Sequence, residues 1–585
     1  MALNQSYYRN VNPDLLDRIP LNAQTVVEVG CGSGALGGAY KLRNPQVHYI
    51  GVEAMPEPAA DASRVLDQVI VGNAEDPLLF RDNVQDVDCL VYGDVLEHLV
   101  NPWDCLSRHL ELLSEEGLVV ACIPNAQHWS VLANLLQGQW PLEDQGLFDR
   151  THLRWFTKAT IVEGFQKLGL TIHEIKPRVF KLDQTRDFVE KLEPALNNFG
   201  LNPQSVLNGS APLQYVVVAG LKPIQRLNVD GFSQINPASM GEVRLRQPMR
   251  ALASLPATSM RYATDSFTLK SHSDQLKIFL WQRPVFINPD SDFKQIQSLI
   301  RAGYIVVVDW DDDPRFWKDI APAIERTFRS VHAIQVTTTE LAELIKPFNP
   351  EVGVFPNAMF SLPVPSPDRF NREGLRLFFG ALNREKDWAP LIDDLNAELR
   401  DAPDFWSFSV IHDRRFFDAL DLPPARKSFV PTCGYDQYLA EMSQCDVAFL
   451  PLMDTPFNHM KSNLKAIEAG SYGLALLASD VLYERSLVDG VTAQLFRDPA
   501  QLRHHLKDWR EQPDRARQLG QRARHWVESE CMATHQVARR EAWYRDLASR
   551  RGQLNQALLK RVPELAATAA DSVSYTHLTL PTSRS

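Results

Sequence analysis

The sequence predicts an α/β protein built from two successive regions of parallel sheet. Two observations carry that reading. Short apolar runs alternate with amphipathic stretches, as when strands buried on both faces are joined by helical crossovers. The runs also fall into two groups, divided by a stretch with weak periodicity. At 585 residues the chain can hold two or three domains, each burying its own core.

The first group contains TVVEVG, HYIGVEA, DQVIVGN, VDCLVYGD, GLVVACIP, LTIHEI and QYVVVAG. Seven strands by residue 220 complete one doubly wound sheet, a domain spanning 1–222. The stretch from Leu221 to Ser273 is rich in Pro, Ser, Arg and Met, and residues 223–273 read as linker. The second group comprises LKIFLW, YIVVVDW, AIQVTT, EVGVFPN, LRLFFGA, FSVIHD, DVAFLPL and LALLASD. It predicts a further α/β unit, or two facing ones, over 274–550, with halves of 274–369 and 370–550. From Pro499 onward the chain turns Arg-, Gln- and Glu-rich with helical spacing, and 551–585 is expected to be a helical tail. The final SVSYTHLTLPTSRS departs from that charged pattern and reads as a non-native end.

Composition excludes several classes. Net charge is −11, whereas nucleic-acid binding needs a basic face. No run of about 18 apolar residues marks a membrane span, and MALNQSYYRN has no apolar signal segment. Peripheral membrane contact stays open. The seven cysteines form no C-x-x-C pair, so neither a metal site nor a disulfide framework is expected. Reduced thiols point to the cytoplasm.

The densest motif is TVVEVGCGSG, an apolar strand, an acid and three alternate glycines. Glycines at a strand-to-helix turn let a ligand lie against the backbone where a Cβ would collide. Gly30, Gly32 and Ala35 alone also satisfy a dinucleotide-binding pattern. Glu28 discriminates, because a carboxylate there repels a pyrophosphate but suits a cationic ligand such as a sulfonium. Glu53 ends the next strand about 20 residues beyond the turn, placed for ribose hydroxyls. GNAED, Gly72 to Asp76, follows, and VDCLVYGD ends at Asp94 beside Glu97 and His98.

Taken together, E-x-G-C-G-x-G, Glu53, GNAED and DVLEHLVNPW leading into LSEEGLVVACIPN resemble the class I S-adenosylmethionine-dependent methyltransferases. The resemblance covers residues 20–220 and implies a Rossmann-like seven-stranded sheet with S-adenosylmethionine as cofactor. It implies that Glu28, Gly30, Gly32 and Gly34 surround the methionine moiety, with Glu53 at the ribose, Asn73, Ala74 and Glu75 at the adenine, and Asp94 alongside. Alignment and desolvation supply most of the acceleration in such a displacement. An oxygen acceptor also needs a base, for which His98 and His152 are the candidates. DRTHLRWFT, Asp149 to Thr157, resembles a segment of polysaccharide-linked methyltransferases. Its Arg150, His152 and Arg154 could contact an acceptor or order a lid.

In the second region FNHMKSNLKAIEAGSYGLALLASD places Lys461, Lys465 and Glu468 at spacings of one helix face. A helix N-terminus with lysines beside it is an anion site. This passage, with VFPNAM and LRLFFGALNREKDW, resembles the C-terminal half of GT-B glycosyltransferases of the group 1 type, over residues 275–545. The resemblance implies a nucleotide-diphosphate sugar donor, held by Asn383, Arg384, Lys386, Lys461, Lys465 and Glu468. Many relatives carry a second glutamate eight positions earlier, where this chain has Met460; a sub-branch with F-N-x-x-K-S-x-L-K also lacks it. The stretch before the hinge is short for a whole Rossmann half, so that half is abbreviated or borrows from the linker. No metal is expected, and Asp311 to Asp313 in DWDDDP read as a helix cap or acceptor contact. The expected function is a bifunctional methyltransferase and glycosyltransferase acting on a glycan or lipid-linked saccharide. The alternatives are a second domain that only binds or scaffolds, and a small-molecule methyltransferase with an unrelated nucleotide-binding partner.

Overall fold

The computed structural model describes residues 10–80, 84–233, 240–269, 275–364, 373–566 and 577–579. The chain divides into two compact units, Met1–Arg226 with Ala253–Thr258, and Leu227–Leu252 with Ser259–Ser585.

The first unit holds β1 (Thr25–Val29), β2 (His48–Glu53), β3 (Gln68–Val71), β4 (Val87–Gly93), β5 (Leu113–Pro124), β6 (Thr171–Arg178) and β7 (Gln214–Gly220). They form one sheet of order β3-β2-β1-β4-β5-β7-β6. Only β7 runs antiparallel to its neighbours. All seven strands expected from the sequence are therefore present. Val27, Leu90, Val119 and Val217 enter the core on one face of the sheet. Val26, Cys89, Val120 and Val216 enter the core on the other. Burial on both faces is why these strands read as unbroken apolar runs. The strand order reverses between β1 and β4, which opens a crevice at their C-terminal ends. In register, Glu28 lies beside Gly51 and Val91, so the residues following β1, β2 and β4 converge on that edge.

The second unit carries two sheets. One has order β14-β13-β12-β11-β8-β9, from β8 (Leu227–Ser233), β9 (Thr258–Ala263), β11 (Leu276–Gln282), β12 (Ile305–Trp310), β13 (Ala333–Val336) and β14 (Val352–Val354). The described residues of the stretch expected to be linker therefore include folded elements, and β8 is an interior strand of this sheet. Its reading LNVDGFS hides that role, because Asn228, Asp230 and Ser233 interrupt the apolar pattern although every residue is buried. Asp230 is neutralised by Arg261 at 2.8 Å and accepts from the Tyr304 hydroxyl at 2.6 Å. These partners lie far along the chain and leave no local signal.

The other sheet has order β17-β16-β15-β18-β19-β20, all parallel, from β15 (Leu375–Gly380), β16 (Trp406–Ile411), β17 (Lys427–Val430), β18 (Val447–Leu450), β19 (Ala475–Ser479) and β20 (Gln494–Phe496). Two parallel α/β halves in one unit give the GT-B-like arrangement. The expected tail is also corrected. The helix Arg551–Arg561 belongs to the core of the first half, with Leu558, Val562 and Leu565 packed among Phe232, Trp281 and Ile296. The preceding helix, Thr534–Ser549, donates its Tyr544 hydroxyl to Gln335 at 2.6 Å. Of the final stretch, only 577–579 is described, as β21 (His577–Thr579) paired antiparallel with β10 (Ser266–Thr268); the rest lies outside the described residues.

One buried cation ties the first half together. Arg244, 1% exposed, donates to Asp309 at 2.6 and 3.2 Å, to the Phe355 carbonyl at 2.8 Å and to Asn357 at 3.1 Å. Asp309 is fully buried and also accepts from Gln335 at 2.8 Å. Removing one member of such a pair strands the other charge, at a cost of about 3–5 kcal/mol. Arg244→Met should therefore lower the midpoint of the second unit's unfolding by several degrees in calorimetry. An unchanged thermogram would remove the network from the stability of this half.

Candidate active sites

The first site is built on the turn after β1. Gly30, Gly32 and Gly34 have φ of +75°, +53° and +78°, a region that favours glycine. A Cβ on Gly30 would stand 2.5 Å from Val95 Cγ2. The Gly30 and Cys31 N–H groups both donate to the Val52 carbonyl, at 2.8 and 3.0 Å, and tie the turn to the end of β2. There the Glu53 carboxylate accepts from the Gly32 N–H and the Met55 N–H, each at 2.9 Å. A carboxylate offers about four acceptor positions, so two remain for vicinal hydroxyls of a ligand. The carboxylate fixed by two N–H donors on one side and the positive-φ glycine turn on the other fit a nucleoside lying across the turn.

Glu28 takes a different place from the one its spacing suggested. It shares the face of Val26 on β1, beneath the helix Ala35–Lys41, and accepts from the Tyr49 hydroxyl at 3.0 Å. Burial pushes its carboxyl up to about 8, against the hydrogen bonds from Tyr49 and the Gly37 amide. It holds a proton at neutral pH and orders the turn from below. The alternation of side chains along a strand decides this.

The GNAED segment is also partly committed. The Glu75 carboxylate accepts from Val100 N–H at 3.1 Å and Asn101 N–H at 2.8 Å, capping the approach to the helix Pro102–His109. The Ala74 carbonyl meets His109 Nε2 at 3.1 Å and the Cys105 thiol at 3.3 Å. Asn73 is exposed and accepts from the Glu75 N–H at 3.0 Å. Of the three residues expected at adenine, Asn73 is exposed, and the Glu75 carboxylate, like that of Glu53, keeps acceptor positions beyond its two N–H donors. Asp94 closes the edge at φ +55°, with the Gln214 amide donating to it. Burial pushes its carboxyl up to about 6.

His98 and His152, far apart in sequence, come together. Their rings stack edge to face with centroids 4.8 Å apart. The Glu97 carbonyl accepts from Leu153 N–H at 2.8 Å and Arg154 N–H at 3.0 Å, so DRTHLRWFT is stitched onto DVLEHLV. Burial lowers both imidazoles from their ordinary value. Arg154 donates to the Leu153 and Val100 carbonyls and Arg150 pairs with Asp144, which favours their ordering role.

The second site is a cavity of about 420 Å³ in the second unit, lined by Gly380, Arg384, Tyr435, Lys461, Lys465 and Glu468 among others. Lys465 and Glu468 lie on the helix Leu464–Ser471, which ends at Gly473 with φ +73°. Lys461 precedes that helix rather than sharing it, because Ser462 and Asn463 form a break at which the helix starts without a side-chain cap. It still reaches the cavity, where its ammonium meets Asp312 at 3.1 Å. Lys465 donates to the Gly380 carbonyl at 2.5 Å and the Tyr438 hydroxyl at 3.3 Å. An ammonium has three donors, so one is left for a ligand. Burial lowers the Lys465 ammonium and raises the Glu468 carboxyl, and each partly offsets the other. The Tyr435 hydroxyl donates to Glu468 at 2.9 Å.

Arg384 is held by Asp387 at 2.9 Å and Asn458 at 3.0 Å. Asn383, at φ +58°, and Lys386 are exposed beside it and do not line the cavity. Met460 packs against the apolar core of the other half. Asp313 caps the turn Pro314–Phe316 by accepting from Arg315 N–H, while Asp311 and Asp312 pair with Arg283 and face the cavity. Sequence reading missed Arg283, Tyr435 and Tyr438; the tyrosines carry an i, i+3 spacing in GYDQYL that a helix search would have found.

The sheet orders define a doubly wound, methyltransferase-like unit and a GT-B-like unit. A family model described as "Methyltransferase domain" matches residues 5–175, and one described as "Glycosyl transferase-like" matches residues 390–542. The chain therefore carries a methyltransferase domain and a glycosyl transferase-like domain; it is an enzyme. Among solved structures, the chain is similar to TarM, at 11% identity and TM-score 0.36, over 47% of this chain and 56% of that one. It thus spans little more than half of TarM. Anabaena HepE in complex with UDP-glucose shares 11% identity over 54% of this chain and 99% of its own, with TM-score 0.38. A SAM dependent methyltransferase from Archaeoglobus fulgidus shares 16% identity over 37% and 96%, with TM-score 0.27. No curated protein matches the sequence. Among the described residues, no helix is long and apolar enough to cross a membrane.

Proposed function

We propose that the chain is bifunctional, methylating one group and transferring a sugar from a nucleotide diphosphate in the synthesis of a bacterial surface glycan or its lipid-linked precursor. The observation that carries the first activity is Glu53, oriented by two backbone N–H groups beside the glycine turn. S-adenosylmethionine supplies an electrophilic methyl group on a sulfonium. Glu53 would receive the ribose hydroxyls, Gly30 to Gly34 would leave room for the methionine moiety, and Asn73 would meet the adenine edge. His98 and His152 would stand on the acceptor side. Seven free thiols agree with a reducing, cytoplasmic setting.

For the second activity, Lys465, Lys461 and Arg384 would receive the diphosphate at the uncapped start of the helix Leu464–Ser471. Glu468 would hold the nucleoside hydroxyls. Asp311 and Asp312, on the other half, would face the acceptor. UDP-glucose, seen with the Anabaena relative, is the first donor to test.

Calorimetry with S-adenosylmethionine tests the first reading. Glu53→Ala should weaken binding by about 1–3 kcal/mol, through lost hydrogen bonds to the ribose and slackening of the turn. Binding of NAD in place of S-adenosylmethionine would overturn it. Sugar transfer should survive chelator, because lysine and arginine replace a metal at the diphosphate. Strict dependence on Mn²⁺ or Mg²⁺ would overturn that part.

A further inference from the structure

Glu97, His98 and His152 each offer one ligand atom, and these three atoms lie within 4.8 Å of one another. No other such grouping occurs among the described residues. Glu97 is 1% exposed, and its Oε2 has no hydrogen-bond partner. Its Oε1 stands 3.9 Å from His152 Nε2, too long for a hydrogen bond. A buried carboxylate with an unpaired oxygen is costly unless something positive completes it.

The histidines are prepared in the manner of ligands. His98 Nδ1 faces the Thr151 carbonyl at 3.3 Å and the Thr151 hydroxyl at 3.0 Å. That hydroxyl donates in turn to Asp149 at 2.6 Å. With Nδ1–H donating to the carbonyl, Nε2 keeps its lone pair, the tautomer a metal needs.

We propose that Glu97, His98 and His152 bind a divalent transition-metal ion beside the methyl-transfer site. Two imidazoles and one carboxylate suit Mn²⁺, Fe²⁺, Co²⁺ or Zn²⁺ rather than Ca²⁺, whose ligands are all oxygen. Side-chain rotations would close the three atoms to the roughly 3 Å separations set by metal–ligand bonds of about 2.0–2.2 Å. Three protein ligands leave open positions for oxygens of a hydroxyl-bearing acceptor. There the ion lowers the hydroxyl pKa, so that its proton leaves to water and the oxygen becomes the nucleophile. Binding of the ion stands independently of the methyl-transfer reading; only this role rests on it.

The test uses the full chain, stripped with chelator and titrated with CoCl₂ under both calorimetry and visible absorption. The expected result is one Co²⁺ per chain with the visible bands of imidazole coordination. Glu97→Gln and His152→Gln should each weaken that binding at least tenfold, with far-UV dichroism and S-adenosylmethionine affinity retained. His98→Asn, at a half-exposed position, supplies the same measurement should either buried substitution unfold the domain. Absence of the bands in the wild-type chain, or bands and affinity unchanged in the variants, would overturn the proposal. Histidine variants that lose methyl transfer while the wild type binds no ion would return the pair to the role of base. If S-adenosylmethionine binding fails but Co²⁺ binding holds, the cofactor reading falls and the metal site stands.

Discussion

Lys465→Ala and Glu468→Ala are expected to damage sugar transfer in different kinetic parameters. The Lys465 ammonium is buried, points two of its donors at Gly380 and Tyr438, and has one left for the cavity. A diphosphate gains charge as it leaves, so a fixed cation is worth more in the transition state than in the ground state. The loss should fall on kcat, by about 10²–10³-fold, with KM little changed. Glu468, oriented by Tyr435, would hold ribose hydroxyls equally in both states. Its loss should appear mainly in KM. Were the two residues merely an i, i+3 pair on a helix, either change would cost a few tenths of a kcal/mol in stability and leave kinetics untouched. Steady-state kinetics on a panel of nucleotide sugars separates these cases. Turnover unaffected by either substitution would move the donor site elsewhere. Absence of turnover with every donor would favour a second unit that only binds its partner.

Gly30→Val is expected to abolish S-adenosylmethionine binding outright. At φ +75° a β-branched residue is strained, by about 1–2 kcal/mol or more. Its Cβ would also collide with Val95 Cγ2 at 2.5 Å, and Val95 follows Asp94 at the edge of the same crevice. Relief of either conflict moves the turn away from Val52 and Glu53, whose hydrogen bonds define the site. Calorimetric titration should show no binding up to about 1 mM, at least a thousandfold loss from a micromolar site. The second unit's melting transition should be retained, since its core shares no residue with this turn. Wild-type affinity in Gly30→Val would mean that the ligand does not cross the glycine turn.

Both expectations rest on residues legible from one dimension, but unequally so. The meeting of the glycines with Glu53 was legible because a turn and the acid that faces it occupy fixed offsets from two apolar strands. Lys465 and Glu468 were found because helical spacing puts them on one face. Lys461 was placed on that helix by the same arithmetic and is not, because spacing does not reveal where a helix starts. Glu28 and Glu75 were assigned to ligand by motif, while the structure spends one on Tyr49 and the other on the backbone of Val100 and Asn101.

The sequence by itself determined the seven strands of the first sheet and eight strands of the second unit, since each is a short apolar run and most of the runs alternate with amphipathic stretches. It also determined the position of the glycine turn after β1, because positive φ selects glycine locally. Tertiary structure alone decided that the stretch after Leu221 is folded. β8 buries Asn228 and Asp230 only because Arg261, Tyr304 and Ser259 come from elsewhere to satisfy them. It alone gathered Glu97, His98 and His152, since two backbone hydrogen bonds from a distant loop set that cluster. Periodicity records which face of an element is buried; it holds no record of which distant polar group will meet it there.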